Sequence, residues 1–372
     1  MRSSPLLLIA LVAALFSQQS ASRTIWLAGD HHESMTLDSL YCAEISPTTP
    51  MACGTRPDDW TPAFDLSNID LGVWNEDRVK DAVRYPDDPV SELRFSNPVG
   101  LVRWLWNVGI GCKRMGKDAD IQTGLRCSTH YGNLQFMHAM SSDVRTDATQ
   151  TKSKIMAWID FSLAVLQNHP NADGILFIQD IHCNYWTGQK DNNGNPIADL
   201  MVPNGEDEFP CVVNKGSPWF VGSLFAFRCN VNIYSCDVDM TPQHVRSNAL
   251  GAILHLIQDS YSQGHALRGN CCANVPDHAL AAYECAPITQ FNVYGPQDKG
   301  RHGAADDVPV AGESCAQNSG VLDPVVAGAQ VFWLLKHGGV AEENIASIAG
   351  MLNTQVFRLS DTALPSGKGA GF

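Results

Sequence analysis

The segment from Thr241 to His265, TPQHVRSNALGAILHLIQDSYSQGH, limits the fold more than any other part of the chain. Val245, Ala249, Ala252 and Leu256 recur at helical spacing. Thr241 suits an N-cap, Pro242 suits the first helical position and Gly264 supplies a stop, so a helix is expected from Pro242 to about Gln263. Val245, Ala249, Ala252, Leu256 and their neighbours make an apolar face. Yet the helix carries His255 and Asp259 four residues apart, on one face, and His265 just past the stop. A buried carboxylate with no partner is costly. Two imidazoles and a carboxylate are donors that zinc takes at about 2.0–2.2 Å. The plainer alternative is a hydrogen-bonded His/Asp pair that only stabilises packing.

Other segments read the same way. Lys152 to Gln167 is helical in period and closed by Pro170. Two more helices are expected at Asp323–His337 and Glu342–Phe357, divided by Gly338 and Gly339, and a further one at Val99–Ile110. Strand signals are sparse, and Gly174–Ile178 is ambiguous between a buried strand and a helical turn. Cys183 to Cys236 holds GQKDNNGNP and four cysteines, and reads as a disulfide-stapled insertion of loops and short strands. The expected fold class is mainly α. Residues 1–22 read as a signal peptide, 23–360 as a single α-helical domain with an insertion at about 183–240, and 361–372 as a flexible tail.

The leader reading rests on Arg2, the apolar core Leu6–Phe16 and the small residues of SQQSAS, a stretch too short to span a bilayer. No later stretch is long and apolar enough to do so, and export is expected. All twelve cysteines lie beyond the leader. An even number in an exported chain argues for disulfides, and the lack of a C-x2-C pair argues against thiolate zinc ligation. A formal charge of −14 opposes non-specific attraction to nucleic acid or anionic membrane. It does not oppose a site whose bound cations supply local positive charge. The chain contains no N-x-S/T sequon, so N-glycosylation is not expected.

The run His255-x3-Asp259-x5-His265 resembles the central motif of the zinc-dependent phospholipase C family of the alpha-toxin type, and of the related fungal zinc nucleases that cut single strands. Other pieces follow the family's order. Trp26 with His31 or His32, in WLAGDHHESMT, is similar to the N-terminal segment, where a Trp supplies its amino group and carbonyl and a His opens the first helix. Asp77, in LGVWNEDRVKD, resembles the family's loop aspartate. Those acids also suit a helix N-terminus. His138, with His130 as second choice, precedes the Lys152 helix as a family ligand does. His302 and Asp306, in RHGAADD, have the spacing of the late H-x3-E/D pair, whereas His278 lacks an acid four residues on. Pro is common before the last histidine of the family's central motif; this chain has Gly264. Asp180 and His182, in FIQDIHCNYW, read as packing beside Cys183, with ligand orientation as the alternative.

The resemblance implies a nearly all-helical fold and three zinc ions. Asp77, His138, His255 and Asp259 hold one; His265, His302 and Asp306 hold another; Asp259 bridges to a third on His32 or His31 and Trp26. It further implies hydrolysis of a phosphodiester by metal-activated water, with Asp77 orienting that water. The expected activity is a secreted phospholipase C that cleaves phosphatidylcholine-type lipid, at a membrane or micelle surface, to diacylglycerol and a phosphorylated head group. Alternatives are a zinc single-strand nuclease or nucleotidase, the one case in which nucleic acid is a partner, and a non-catalytic, disulfide-stapled secreted binding protein.

Overall fold

The computed structural model describes residues 31–87, 111–116, 125–167, 183–186, 189–191, 193–201, 221–225, 241–269, 287–295, 297, 302 and 323–369. These residues are mainly helical: α1 His31–Ile45, α2 Glu76–Arg84, α3 Leu125–His130, α4 Ala148–Gln167, α5 Pro242–Asp259, α6 Pro324–Gly338 and α7 Glu342–Met351, with shorter turns between them. Two small antiparallel sheets complete the described part. One pairs β1 (Phe64–Asp65) with β2 (Val73–Trp74), and the other pairs β3 (Ala266–Arg268) with β4 (Ile288–Phe291).

The central element is α5. Every residue from Val245 to Asp259 is buried, so the helix has no solvent face. Its start is as expected, with Pro242 in the first turn and the Thr241 side chain accepting from the His244 amide. Its buried polar residues have local work. Both Arg246 Nε and Nη2 donate to the Leu166 carbonyl near the end of α4, and Asn248 donates to the Phe225 carbonyl. Close helix approach is provided by glycine. A Cβ on Gly251 would stand 2.1 Å from the Ala82 carbonyl oxygen of α2, and one on Gly328 would stand 2.6 Å from Ser39 Oγ of α1. Across α1 and α6 the core is filled by Leu40, Phe64, Trp74 and Phe332, the two Phe rings packing edge to face.

The structure adjusts several element boundaries. Helix α4 begins four residues before Lys152, because the Asp147 carboxylate accepts from the Thr149 amide and hydroxyl and caps an earlier turn. Helix α5 stops at Asp259, not near Gln263: tight turns from Ser262 to Asp259 and from His265 to Ser262 fold the chain back. The helix begun at Glu342 gives way to a π-helical turn at Leu352–Val356. Two disulfides, Cys42–Cys53 and Cys112–Cys127, lie among the described residues. Val99–Ile110, Gly174–Ile178, the leader and most of the 183–240 insertion lie outside the described residues.

The tail expected to be flexible makes backbone hydrogen bonds to the fold over 361–369. Leu364 donates to the Thr289 carbonyl, Ser366 to Thr146 and Gly367 to Phe291, and Val293 donates to Gly367. The segment is stitched to the free edge of β4, where its backbone satisfies otherwise open strand groups. No helix among the described residues is long and apolar enough to cross a membrane.

Candidate metal centre

Helix α5 presents His255 and Asp259 one turn apart, as their spacing requires, and other elements aim side chains at the same point. The His255 Nδ1 hydrogen is donated to the Val83 carbonyl in the last turn of α2, at 2.9 Å, which turns Nε2 toward Asp259 Oδ2 at 3.1 Å. His138 ends a short 3-10 turn, Gln135–His138, closed by Ala139 in the left-handed region at φ 53°. Its Nδ1 lies 2.9 Å from Asp259 Oδ2 and 3.2 Å from His255 Nε2. From α1, His32 donates through Nδ1 to Gln258 Oε1 at 2.8 Å, stacks on the His255 ring and sets its Nε2 3.6 Å from Asp259 Oδ1. Gln258 is itself held, its amide donating to Thr36 Oγ1 at 2.8 Å while Thr36 donates to the His32 carbonyl. The two Asp259 oxygens thus face different histidines.

A fourth donor comes from Asp87, just beyond α2. Its Oδ1 lies 3.6 Å from His255 Nε2 and 3.8 Å from His138 Nδ1. Those separations exceed hydrogen-bonding range. They are close to the spacing of two donors on one tetrahedral cation, about 3.3–3.6 Å for bonds of 2.0–2.2 Å. The triangle of His138 Nδ1, His255 Nε2 and Asp259 Oδ2, with sides of 2.9, 3.2 and 3.1 Å, is only slightly tighter. His138 Nε2 is buried and has no hydrogen-bond partner. The chemistry of these donors, two imidazoles and two carboxylates turned inward, fits a divalent cation. Three overlapping groups have metal-holding geometry: His32, Asp87 and His255; Asp87, His130 and His138; His138, His255 and Asp259.

Electrostatics follow from burial and crowding. Burial alone would raise the Asp259 carboxyl, but the His255 and His265 charges and hydrogen bonds from His138 and His255 outweigh it and hold it well below the usual carboxylate range. Burial likewise works against ionisation of Asp87, and His255, His130, His138 and His32 together overcome it. For His255, burial is outweighed by Asp259 and Asp87, and its pKa rises to about 9. For His138, burial dominates and the pKa falls to about 4. His32 is lowered by burial and by the neighbouring His255. The centre therefore holds two ionised carboxylates against one imidazolium, an excess of negative charge that a cation neutralises.

Of the residues expected from the sequence, His138, His255 and Asp259 come together, and His32 joins them in preference to His31. Consecutive helical residues point about 100° apart, and His32 is the one facing α5. His265 returns to the cluster through the turn after α5, with Nδ1 3.6 Å from Asp259 Oδ2 and hydrogen-bonded to the His138 carbonyl. His302 stacks on His265 at 4.9 Å and bonds Gln297 through Nδ1. Gly264 is required there, since a Cβ would stand 2.6 Å from His302 Nδ1. Asp77 is corrected. Asn75 caps α2 and leaves Asp77 exposed in the first turn, while the other end of the helix, roughly 9 Å away at 1.5 Å per residue, adjoins the centre. The carboxylate found at the cluster is Asp87. Trp26, Asp306, His278, Asp180 and His182 lie outside the described residues.

Sequence reasoning missed Asp87 and the orienting role of Gln258. The available signal for Asp87 was an acid set between prolines, YPDDP, directly after a helix. What the described residues define is a mainly helical protein with a buried His/Asp centre suited to a divalent metal ion. No protein-family model matches the chain, and neither a curated protein nor a solved structure shows significant similarity to it.

Proposed function

We propose that this chain is a secreted zinc-dependent phosphodiester hydrolase, and that it acts as a phospholipase C on zwitterionic phospholipid. The observation that carries the reading is the convergence of His138 Nδ1, His255 Nε2 and Asp259 Oδ2, at mutual distances of 2.9–3.2 Å, with Asp87 Oδ1 beside them. Zinc, when bound, acidifies a water molecule and draws charge from phosphoryl oxygens. Asp87, His138, His255 and Asp259 would hold one ion. Asp259, through its second oxygen, would share another with His32, and His265 and His302 would contribute to a third.

The chain's own residues orient these donors. The Val83 carbonyl fixes the tautomer of His255, and Gln258 fixes that of His32, so each presents Nε2 to a carboxylate. The Asp87 side chain is 22% exposed, against 2% for Asp259, so it touches both solvent and the cluster. It takes the role the family resemblance gave to Asp77, that of orienting the attacking water. Its depressed pKa makes it a hydrogen-bond acceptor for that water rather than a strong base. Net charge of −14 suits a zwitterionic lipid better than a polyanion.

A second reading, cleavage of single-stranded nucleic acid, draws on one observation. Tyr294 packs edge-on against Tyr131, His130 and His302, giving a run of rings beside the centre on which bases could stack. The test is direct. Zinc-loaded protein is expected to release phosphorylated head group from phosphatidylcholine vesicles, and a chelator to stop it. Cleavage of single-stranded DNA alone would move the assignment to the second reading, and failure on both substrates would overturn the hydrolase.

A further inference from the structure

The centre contains an imidazole that the proposed ligand set does not use. His130 closes α3, and its Nε2 lies 3.7 Å from Asp87 Oδ1. Its ring centroid is 4.7 Å from that of His138. The orientation of the His130 ring is set at its other nitrogen. Thr129 Oγ1 donates its single hydrogen to the Leu125 carbonyl at 2.8 Å. With that hydrogen committed, the hydroxyl can only accept from His130 Nδ1, 3.2 Å away. His130 therefore donates through Nδ1 to Thr129, and its Nε2 is the nitrogen turned toward the Asp87 carboxylate. The third member is His138, whose buried Nε2 has no hydrogen-bond partner. The donor atoms of Asp87, His130 and His138 all lie within 4.8 Å of one another, so drawing them onto one cation, where donors stand about 3.3–4.4 Å apart, takes only small side-chain movements.

We propose that His130 is a metal ligand, binding a divalent transition cation through Nε2 together with Asp87 and His138. This rests on the metal-centre reading and gives the centre one imidazole donor more than the family resemblance implied. Thr129 then acts as the positioning residue that fixes the His130 tautomer. A third imidazole alongside two carboxylates exceeds the four donors of a closed tetrahedral zinc site. It makes the Asp87 side of the centre hospitable to higher coordination numbers and to metals that favour them.

Affinity alone does not separate a ligand from a group that merely orients Asp87, because loss of an orienting partner already weakens metal binding by roughly 10–100-fold. Counting bound imidazoles does separate them. Full-length protein, freed of metal and reloaded with cobalt(II), is to be examined by proton NMR, in which each coordinated histidine gives a hyperfine-shifted, exchangeable N–H signal. His130→Gln keeps a hydrogen-bond donor for Asp87 but removes the imidazole. The expected result is loss of one shifted signal with the others retained. Thr129→Val, a second and milder variant, is expected to keep the signal count but speed solvent exchange of one N–H. An unchanged number of shifted signals in His130→Gln overturns the proposal while leaving the metal centre standing. Failure of the wild-type protein to take up cobalt overturns both.

Discussion

Replacing Gly251 by alanine tests how the centre is held. Gly-to-Ala within a helix ordinarily stabilises by about 0.5–1 kcal/mol. At Gly251 the new methyl would stand 2.1 Å from the Ala82 carbonyl oxygen and 2.3 Å from its carbon. A carbon–oxygen contact needs about 3.3 Å, so α2 and α5 must part by roughly 1.2 Å. That movement carries Val83 O from 2.9 Å out of hydrogen-bond range of His255 Nδ1. Overpacking costs about 1–3 kcal/mol, and a buried bond left unmade costs about 1–3 more. After the helix-propensity gain is subtracted, the variant should be destabilised by about 1–5 kcal/mol. Zinc affinity should fall roughly 10–100-fold, because His255 loses its orienting acceptor. Gly350 in α7 is the control, since its Cβ would meet nothing within 4 Å. Gly350→Ala should be stabilised by about 0.5–1 kcal/mol. The assay is urea unfolding of metal-free protein, followed by zinc titration. If Gly251→Ala shifts the midpoint upward as Gly350→Ala does, the tight α2–α5 crossing is wrong.

Three further outcomes are expected. Asp87→Asn should lose metal and activity, whereas Asp77→Asn should keep both within about twofold, since an exposed site away from special features changes stability by less than about 0.5 kcal/mol; equal losses in elemental analysis would return the role to Asp77. Gln258→Leu should release His32, lowering the second metal equivalent's affinity roughly 10–100-fold while the first is unaffected, as read by calorimetric titration; identical isotherms would show that Gln258 does not hold His32 for metal. Zinc loading at pH 7.5 should expel close to one proton, that of His255, whose pKa stands near 9 in the metal-free protein. Calorimetry in buffers of different ionisation enthalpy reads this, and absence of proton release would contradict it. The sign for stability follows. A raised histidine stabilises the metal-free fold below its ordinary 6.5 and loses that contribution as pH climbs through about 9. Depressed Asp87 and Asp259 stabilise above their ordinary 3.8 and lose it in acid. The lowered His138 and His32 stabilise above their ordinary 6.5 and lose it as pH falls, so metal-free protein should be most stable near pH 6.5.

Local patterns made part of this readable in the sequence. Thr241, Pro242 and the apolar period mark α5, and the four-residue spacing of His255 and Asp259 is enough to place both on one face of it. Pairing between distant elements is harder to read. Asp77 attracts attention because Trp74-Asn75-Glu76 precedes it, but Asn75 is the cap of α2, and capping sends Asp77 to solvent. Which end of α2 meets the centre depends on the glycine crossing at Gly251, a tertiary fact no local window contains. The tail's backbone pairing is hidden for the same reason. Its glycines and Pro365 look like loose chain, yet the backbone partners that fix it lie in β4 and at Thr146. Residues that orient the ligands leave no mark in the sequence. Gln258 is an ordinary helix residue until α1 brings His32 and Thr36 against it.

The most direct test of the metal centre is metal content. The protein, purified from culture medium without chelators, is analysed by elemental mass spectrometry beside Asp259→Asn. Zinc is expected in stoichiometric amounts in the wild type, with most of it missing from the variant while both remain folded. Wild-type protein that contains no metal and takes up none when zinc is supplied would leave these histidines and aspartates a packed polar cluster, and the hydrolase would fall with the metal.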